Sequence, residues 1–429
     1  MKKIGIVLFT SDLRLHDNTT LLEAIKENDE VIPLFCWDEA YMNSEQFGFN
    51  RMGKIRRGFL QKVLKDLQLR LKSIGGYLLV KKGNQADVIQ DLLSSYSIFK
   101  VYAKKQVGIE EKRENERLKR LLLSKGVDFE EYSTSTLYHP SDLPFSMSSI
   151  PEVFTKFRKI VEKEASVRRP LSAPKAISCP VITSDLQELN NLNESVESDK
   201  RNSLPTLGGE SVALAHLDSY LFEEEHILHY KETRNQLLGI EFSSKLSQWL
   251  ALGCISPKFI YHEVKRFEQE VEANDSTYWL IFELLWRDFF RFSFKKHPLD
   301  YYQLHGILGQ SERMSTRIPH LINSWINGET QNDFVNAAMK ELKATGWTSN
   351  RMRQIVASYF IYDLEQDWRI GAAYFESQLI DYDVSSNWGN WAYIAGVGND
   401  PRAGRRFNTE KQEEQYDKEK YYQTIWNSI

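Results

Sequence analysis

Cysteine is scarce in this sequence, and its few occurrences form no pattern. The chain of 429 residues has three cysteines, Cys36, Cys179 and Cys254, and none belongs to a C-x-x-C pair. A disulfide framework and a Cys/His zinc site are therefore not indicated, and we expect no metal. Unpaired cysteines are typical of a reducing compartment, so the composition predicts a cytoplasmic protein.

Long apolar runs and an excess of charge of one sign are also lacking. No stretch approaches the ~20 apolar residues that span a bilayer. The opening segment, MKKIGIVLFTSDLR, lacks the long apolar region and cleavage site of a signal peptide. We therefore expect no membrane partner. The formal net charge of -4 argues against a bulk polycation, so any contact with nucleic acid must come from a local basic patch.

Short β-branched runs alternate with runs of helical period from Ile4 to about Tyr132. The apolar runs are IGIVLFT, VIPLFCW, YLLVKKG, KVYAKK and FEEYS. Apolar strands separated by helices predict a parallel sheet that is covered by helices on both faces. No G-x-G-x-x-G motif follows the first run, so an ordinary dinucleotide site is not predicted. The turn TSDLRLHDN predicts a helix that is capped by Asp17 or Asn18.

Periodicity is lost from about Thr134 to Leu214, where seven of the 12 prolines fall. This composition predicts a connecting segment along the surface, with one helix in PEVFTKFRKIVEK. Beyond Gly209 the pattern is helical to the end. We therefore predict the fold class α/β plus all-α. It has a Rossmann-like parallel-sheet domain over 1–133, an interdomain linker over 134–214 and a helical domain over 215–429.

Polar side chains share one predicted helix face in the stretch from Thr345 to Trp391. This face carries, at i, i+3, i+4 and i+7, the residues Asn350, Arg353, Gln354 and Ala357. Asp381 and Asp383 follow an apolar segment, and one can pair with Arg353 while the other accepts from a ligand. The alternative is a helical core with incidental buried ion pairs. These residues alone leave both interpretations open.

Two other segments have residue types that suit a ligand. Ser243, Ser244 and Ser247 surround Lys245 at a predicted helix start, where free amides attract phosphate, although serines at such a position are most often a simple cap. In the helix from about Ser276, an acid, an indole and a guanidinium recur at i, i+3 and i+4: Glu283, Trp286 and Arg287. This set suits a flipped base and its phosphates, and the alternative is an aromatic core helix.

Longer motifs resemble a known family. The pattern WxxNRxRQxxAS, followed by DWRxGxxYFxxxLIDYDxxxNxGNWxYxAGVGNDPR, resembles the flavin-binding core of the photolyase/cryptochrome family. Gln354, Tyr393 and the run AGVGNDPR resemble its cryptochrome DASH branch in particular. The segments YKETRNQLLGIEFSSKLSQWLALGCIS and ELLWRDFFRF are similar as well. The resemblance covers nearly the whole chain and implies the photolyase fold, with an antenna-type α/β domain and a helical FAD-binding domain.

The resemblance implies an FAD cofactor and the residues that contact it. These are Tyr230, Ser243, Ser244, Lys245, Leu246, Ser247, Asn350, Arg353, Asp381, Asp383 and Asn387. In the family pattern Asn387 would face flavin N5, and Asp383 would lie at the N3 and ribose side. Arg353 and Asp381 would form a buried pair over the isoalloxazine. We expect these positions to converge on one cavity.

The implied activity is that of a deoxyribodipyrimidine photo-lyase, the light-driven repair of cyclobutane pyrimidine dimers, preferentially in single-stranded DNA. The catalytic residues would be Glu283, Trp286, Asn350, Trp391 and Trp368. The substrate-binding residues would be Glu283, Trp286, Arg287, Gln354, Tyr393 and Arg402. Single-stranded DNA with dimers is the expected partner, RNA is a further candidate, and the protein is expected to be a monomer. The phosphate-contact candidates are Arg313, Arg317, Arg351, Arg402, Arg405 and Arg406.

Two other functions remain open on the sequence. One is a blue-light photoreceptor that binds FAD and nucleic acid without repair, and the other is an electron-transfer flavoprotein with a small-molecule partner. Trp391 and Trp368 match the inner two of the family's three electron-transfer tryptophans, but Ser315 occupies the outer position. Either another aromatic such as Trp325 completes the path, or photoreduction is impaired.

Two more positions bear on cofactors. Asn336 stands where the family has an aspartate, which predicts a different loop near the flavin. Glu110 matches the carboxylate that contacts a folate antenna, 5,10-methenyltetrahydrofolate. A glutamate near a helix N-terminus equally serves the helix dipole.

Overall fold

The computed structural model describes residues 2–182, 188–192, 199–202, 204, 208–309, 315–402 and 404–428. The strands are β1 (Ile4–Phe9), β2 (Glu30–Trp37), β3 (Glu45–Gln46), β4 (Phe49–Asn50), β5 (Leu79–Lys82), β6 (Ile98–Lys104) and β7 (Asp128–Tyr132). The helices of the first third are α1 (Thr19–Glu27), α2 (Glu39–Asn43), α3 (Lys54–Ser73), α4 (Gln85–Ser95) and α5 (Ile109–Ser124).

Five parallel strands form the sheet, in the order β5-β2-β1-β6-β7. The register places Ile6 of β1 between Ile32 of β2 and Val101 of β6. All three side chains are fully buried, because helices cover both faces of a parallel sheet. The five predicted strands and the parallel sheet are confirmed. The short antiparallel ribbon of β3 and β4 was not predicted from the sequence.

Asn18, rather than Asp17, caps α1. Its side-chain oxygen accepts a hydrogen bond from the amide of Leu21 at 3.1 Å, which satisfies one of the free N–H groups of the first turn. Asp17 instead lies in the left-handed region with φ of 47° and forms an ion pair with Lys258 at 2.7 Å. The turn after β1 therefore connects the sheet to the helical part of the chain.

The predicted linker runs along both halves of the molecule. The helix α6 (Phe154–Glu164) lies wholly within it, as the sequence predicts, and α7 (Glu210–Asp218) begins before the predicted end of the linker. The amides of Leu137 and Tyr138 donate to the buried carboxylate of Asp288, each at 2.9 Å. Most of the polar tract over 183–203 lies outside the described residues. The domain boundaries at 133 and 214 stay predictions.

Helices make up the remainder of the chain. They are α7 (Glu210–Asp218), α8 (Tyr230–Thr233), α9 (Ser247–Leu252), α10 (Pro257–Glu270), α11 (Asp275–Lys296), α12 (Pro319–Asn327), α13 (Asp333–Thr345), α14 (Asn350–Ser358), α15 (Trp368–Gln378), α16 (Val384–Ala395), α17 (Thr409–Tyr416) and α18 (Tyr421–Asn427). Their core contains fully buried Trp325 and Trp388. The combination of a parallel sheet and a helical half confirms the predicted fold class. Within the described ranges, no helix combines the length and apolar composition that crossing a membrane needs.

Candidate functional site

A cavity of about 520 Å³ lies among α8, α9, α11, α14 and α16. This volume falls within the ~300–1,000 Å³ typical of small-molecule sites. Its lining includes most of the predicted residues: Tyr230, Ser243, Ser244, Lys245, Leu246, Ser247, Glu283, Trp286, Arg287, Asn350, Arg353, Gln354, Asp381, Asp383 and Tyr393. A smaller cavity of about 90 Å³ shares part of this wall and adds Asn387 and Trp391. Segments far apart in sequence thus converge as predicted.

Arg353 and Asp381 form the buried pair that the sequence predicts. A guanidinium nitrogen lies 2.9 Å from Oδ2 of Asp381, whose side chain is only 2% exposed. Nε of Arg353 donates to the carbonyl of Thr348 at 2.9 Å, which fixes the guanidinium against α14. Oδ1 of Asp381 is buried and has no hydrogen-bond partner among the described residues. A buried acceptor without a donor is costly, so this oxygen calls for a donor from a ligand.

Both carboxylate oxygens of Asp383 have partners within the protein. One carboxylate oxygen forms an ion pair with Arg291 of α11, and the other accepts from the amide of Ser386 at 3.0 Å, which caps α16. Burial alone would raise the pKa of Asp383, but Arg291 and Arg287 hold it at about 2. Asp383 therefore pairs with a cation 92 residues away in sequence, a partner that the sequence did not indicate. The predicted contact of Asp383 with the flavin stays a prediction.

The serine-rich loop before α9 presents an unpaired cation to the cavity. Ser243 and Lys245 both occupy the left-handed region, with φ of 60° and 51°. Such strained positions tend to occur at functional sites. Nζ of Lys245 lies 3.3 Å from the ring centroid of Phe242 and 4.4 Å from that of Trp347, and burial lowers the pKa of Lys245 to about 7. In the described part of the chain it forms no ion pair, so an anionic ligand is a suitable partner.

The cavity wall also carries the predicted acid and indole of α11. Glu283 forms an ion pair with Arg234 at 2.5 Å, and burial raises the pKa of Glu283. The indole of Trp286 meets the ring of Tyr393 edge-on, with centroids 5.8 Å apart. The hydroxyl of Tyr393 accepts from Arg405, which also lines the cavity. Aromatic, acidic and guanidinium groups therefore line the same cavity as Arg353 and Asp381.

Arg287 lines the cavity, but its guanidinium is occupied by backbone. It donates to the carbonyl of Ser135 in the linker and, at 3.1 Å, to that of Leu250 in α9. Burial lowers the pKa of Arg287 to about 10. Arg287 thus joins three segments, and its contact with a DNA phosphate stays a prediction.

Other predicted residues lie outside the two cavities. The side chain of Arg402 is 67% exposed and pairs with Asp400 at 3.5 Å. Trp368 is buried, and its indole N–H donates to the carbonyl of Leu304 at 3.0 Å. The ring of Trp391 lies 6.2 Å from Trp325, whereas Trp368 lies 6.0 Å from Trp388. The route of flavin photoreduction therefore stays open, and Arg313 lies outside the described residues.

Glu110 and Asn336 have partners within the protein. Glu110 forms an ion pair with Arg51, which also contacts Glu376 at 3.0 Å, and burial raises the pKa of Glu110. Because Glu110 lies in the first turn of α5, both the dipole and the antenna interpretations remain. Asn336 accepts from the amide of Thr330 at 2.8 Å and donates to its carbonyl at 2.9 Å, which holds the turn before α13.

Sequence reasoning missed several residues that build the site. Arg234 and Trp347 line the cavity, and Phe242 and Phe154 pack behind Lys245 and Trp286. Arg234 lies four residues after Tyr230, and this helical spacing could have indicated a shared face. The sequence carries no comparable signal for Phe154, since it comes from the linker.

The comparisons with known proteins agree with this geometry. A family model for DNA photolyase matches residues 5–175, and one for the FAD binding domain of DNA photolyase matches residues 279–427. A cryptochrome DASH of Danio rerio is 42% identical over 430 residues, which cover 98% of this chain and 82% of that protein. This chain belongs to the photolyase/cryptochrome family, in the cryptochrome DASH branch. The suspected family is thereby confirmed.

Further relatives of this cryptochrome DASH chain come from bacteria. A solved cryptochrome of Synechocystis sp. PCC6803 has a TM-score of 0.94 and 42% identity, and the match covers 99% of this chain and 88% of that one. A class III photolyase of Agrobacterium tumefaciens has a TM-score of 0.84 and 26% identity, covering 99% and 86%. The photolyase fold is therefore confirmed.

FAD is the cofactor of this cryptochrome DASH chain, and the cavity fits it. Oδ1 of Asp381, which has no hydrogen-bond partner among the described residues, is an acceptor for an N–H group, and the ammonium of Lys245 at the cavity wall can attract an anionic group. The cavity volume is suited to a large organic ligand. The individual contacts of FAD with Asn350, Arg353 and Asn387 stay predictions.

Proposed function

We propose that this chain is a deoxyribodipyrimidine photo-lyase that repairs cyclobutane pyrimidine dimers in a light-dependent reaction. One observation carries the proposal: Glu283, Trp286 and Gln354 line the same cavity as the residues that are expected to bind FAD. A photoreceptor that repairs no DNA would not need an indole and an acid in this cavity. The flavin, as electron donor, and the pyrimidine dimer, as electron acceptor, would therefore bind in the same cavity.

The chain's own residues would bind and orient the dimer. Reduced FAD, when excited by light, supplies the electron that splits the cyclobutane ring. Trp286 offers a flat surface on which an extruded base can stack. Glu283 lies in the same cavity, where its carboxyl can form a hydrogen bond with the edge of a base.

We propose single-stranded DNA as the preferred substrate. A dimer must leave the base stack to reach Trp286, and extrusion from a duplex costs a few kcal/mol that a single strand largely avoids. Arg351 and Arg405 line the cavity and are candidates for the flanking phosphates. RNA with the same lesion is a further candidate ligand, because such phosphate contacts do not read sequence.

The decisive experiment uses chemically reduced protein, which removes any dependence on the tryptophan path. We would illuminate it with single-stranded and double-stranded DNA that carries a defined thymine dimer. Repair of the single strand well above that of the duplex is the expected result. Firmly bound FAD without repair would refute the proposal.

Two variants test the role of the aromatic wall. Trp286→Ala should weaken dimer binding and leave FAD content unchanged. Trp426→Ala is the control, because Trp426 is a buried indole of α18 that does not line the cavity. Equal loss of dimer binding in both variants, or loss of FAD with Trp286→Ala, would make Trp286 a core residue.

A blue-light photoreceptor that binds FAD and nucleic acid is the second candidate function. The hydroxyl of Ser315 donates to the carboxylate of Asp367 at 2.9 Å, so a polar residue lies where the family resemblance places the outer tryptophan. Impaired photoreduction would suit a protein without a repair cycle. Measuring photoreduction of oxidised FAD in wild type and Trp325→Phe separates the cases, since an alternative path through Trp325 predicts loss in the variant.

The remaining expectations extend the proposal. We propose that Glu110 contacts a 5,10-methenyltetrahydrofolate antenna, that the protein is a cytoplasmic monomer and that its domains follow the boundaries 1–133, 134–214 and 215–429. The folate content of the purified protein, compared between wild type and Glu110→Gln, would test the antenna. Light scattering would test the monomeric state, cell fractionation the cytoplasmic location and limited proteolysis the domain boundaries.

A further inference from the structure

The indole of Trp286 forms part of the cavity wall, and an aromatic ring from the linker lies directly behind it. Phe154, the first residue of α6, stacks on Trp286 with ring centroids 3.7 Å apart and an angle of 13° between the planes. Among the other close rings, Phe290 is tilted by 31°, and Phe289 and Tyr393 meet the indole edge-on at 80° and 84°. Phe154 is 4% exposed, so it supports the indole from within the protein.

Phe154 is itself held firmly. Phe282 meets its ring edge-on at 5.1 Å and 86°. Two residues earlier, the carbonyl of Glu152 accepts from Nδ2 of Asn399 at 2.9 Å, which ties the start of α6 to the loop after α16. The ring that backs Trp286 therefore has support from α11, and the start of its helix is held by the side chain of Asn399.

A supported indole binds better than a free one. A tryptophan that can change rotamer loses that freedom when a base stacks on it, and this loss weakens binding. A parallel ring packed against one face of the indole removes the freedom before the ligand arrives. The stacked geometry thus does more than fill space, because its flat contact sets the plane of the indole.

We propose that Phe154 is a positioning residue that fixes the indole of Trp286 as the surface on which a pyrimidine base of the dimer stacks. This inference rests on the proposed function. It assigns part of the affinity for the dimer to the linker, a segment that sequence reasoning treats as a connection. Phe154 does not contact the substrate and acts through Trp286.

Three variants separate positioning from simple core packing. Phe154→Leu keeps apolar bulk and removes the flat ring, whereas Phe154→Tyr keeps the ring. Phe157→Leu is the matched control, because Phe157 is a fully buried phenylalanine one turn along α6 and stacks on no tryptophan in the described structure. Dissociation constants for a single strand with and without a dimer would be measured in the dark by fluorescence anisotropy, at one fixed salt concentration.

We expect Phe154→Leu to weaken dimer binding roughly 2- to 10-fold, the range for loss of one aromatic contact. Affinity for the undamaged strand and FAD content should stay at the wild-type level. Phe154→Tyr should bind the dimer like wild type, and Phe157→Leu should do so even if it lowers the melting temperature. Equal weakening by Phe154→Leu and Phe157→Leu would overturn the inference, and so would unchanged dimer binding by Phe154→Leu.

The wild-type measurement distinguishes the two levels of the argument. If wild type binds damaged and undamaged strands equally, the proposed function fails and the inference fails with it. If wild type prefers the dimer and Phe154→Leu keeps the full preference, only the positioning role of Phe154 is refuted.

Discussion

Removing the guanidinium of Arg291 should destabilise the protein far more than removing a surface arginine. Arg291 and Asp383 form an ion pair in which the side chains are 5% and 9% exposed. Arg291→Met keeps the length and much of the volume of the side chain but leaves the carboxylate of Asp383 buried. Such a carboxylate must either stay charged without its partner or take up a proton.

The pKa of Asp383 sets the size of the effect. A fall from 3.8 to about 2 corresponds to about 2.5 kcal/mol of stabilisation at neutral pH. Because the pKa in the folded protein is the lower one, this stability is present above about pH 4 and is lost as the pH falls towards 2. Breaking one side of a buried pair generally costs ~3–5 kcal/mol. Arg287 remains near Asp383, so we expect a loss of about 3 kcal/mol at pH 7.

Urea denaturation of the FAD-loaded protein at pH 7 would measure the free energy of unfolding of wild type, Arg291→Met, Asp383→Asn and the double variant. The double variant should lose less than the sum of the single losses, with a coupling of about 2 kcal/mol. Arg266→Met is the surface control, since Arg266 is 45% exposed and pairs with Glu263. It should lose less than about 1 kcal/mol. Additive single losses, or equal losses for Arg291→Met and Arg266→Met, would refute the reasoning.

Three further changes test other parts of the structure. Burial raises the pKa of Glu341 to about 7, so wild type should lose stability as the pH rises from 4.5 towards 7; Glu341→Gln should remove this slope in urea denaturation, and identical slopes would contradict the assignment. A Cβ at Gly371 would lie 2.2 Å from the ring of Trp391, so Gly371→Ala should cost about 1–3 kcal/mol. A raised melting temperature, as alanine normally gives in a helix, would argue against this clash. Asn18→Ala should cost more than the ~1 kcal/mol of a lost cap, because the buried side chain also donates to the carbonyls of Asp12 at 3.2 Å and Arg14 at 2.9 Å; an unchanged urea midpoint would contradict this.

Much of the candidate site could be predicted from residues that lie close together in sequence. Asn350, Arg353 and Gln354 share a helix face by their spacing, and all three line the cavity. The acid and indole of α11 follow the same rule. Periodicity is reliable here because α14 and α11 are regular helices, in which the spacing of residues in the sequence determines the side of the helix on which each side chain lies.

Contacts between distant segments could not be predicted in this way. Asp383 pairs with Arg291 across 92 positions, and Phe154 reaches Trp286 from the linker. Lys245 is a further case, because the sequence shows a lysine among serines but not the aromatic rings of Phe242 and Trp347 against it. The resemblance to the family supplied the cofactor, whereas these partners depend on this chain's packing.

The sequence by itself determined the alternation of strands and helices, the polar helix faces and the family to which the chain belongs. These features arise from the hydrophobic period and from residues within a few positions of each other. Only the tertiary structure decided which charges are paired, which acceptor is left for a ligand and which ring lies behind Trp286. Such choices depend on the packing of elements brought together by burial of the core, and no local pattern encodes that packing.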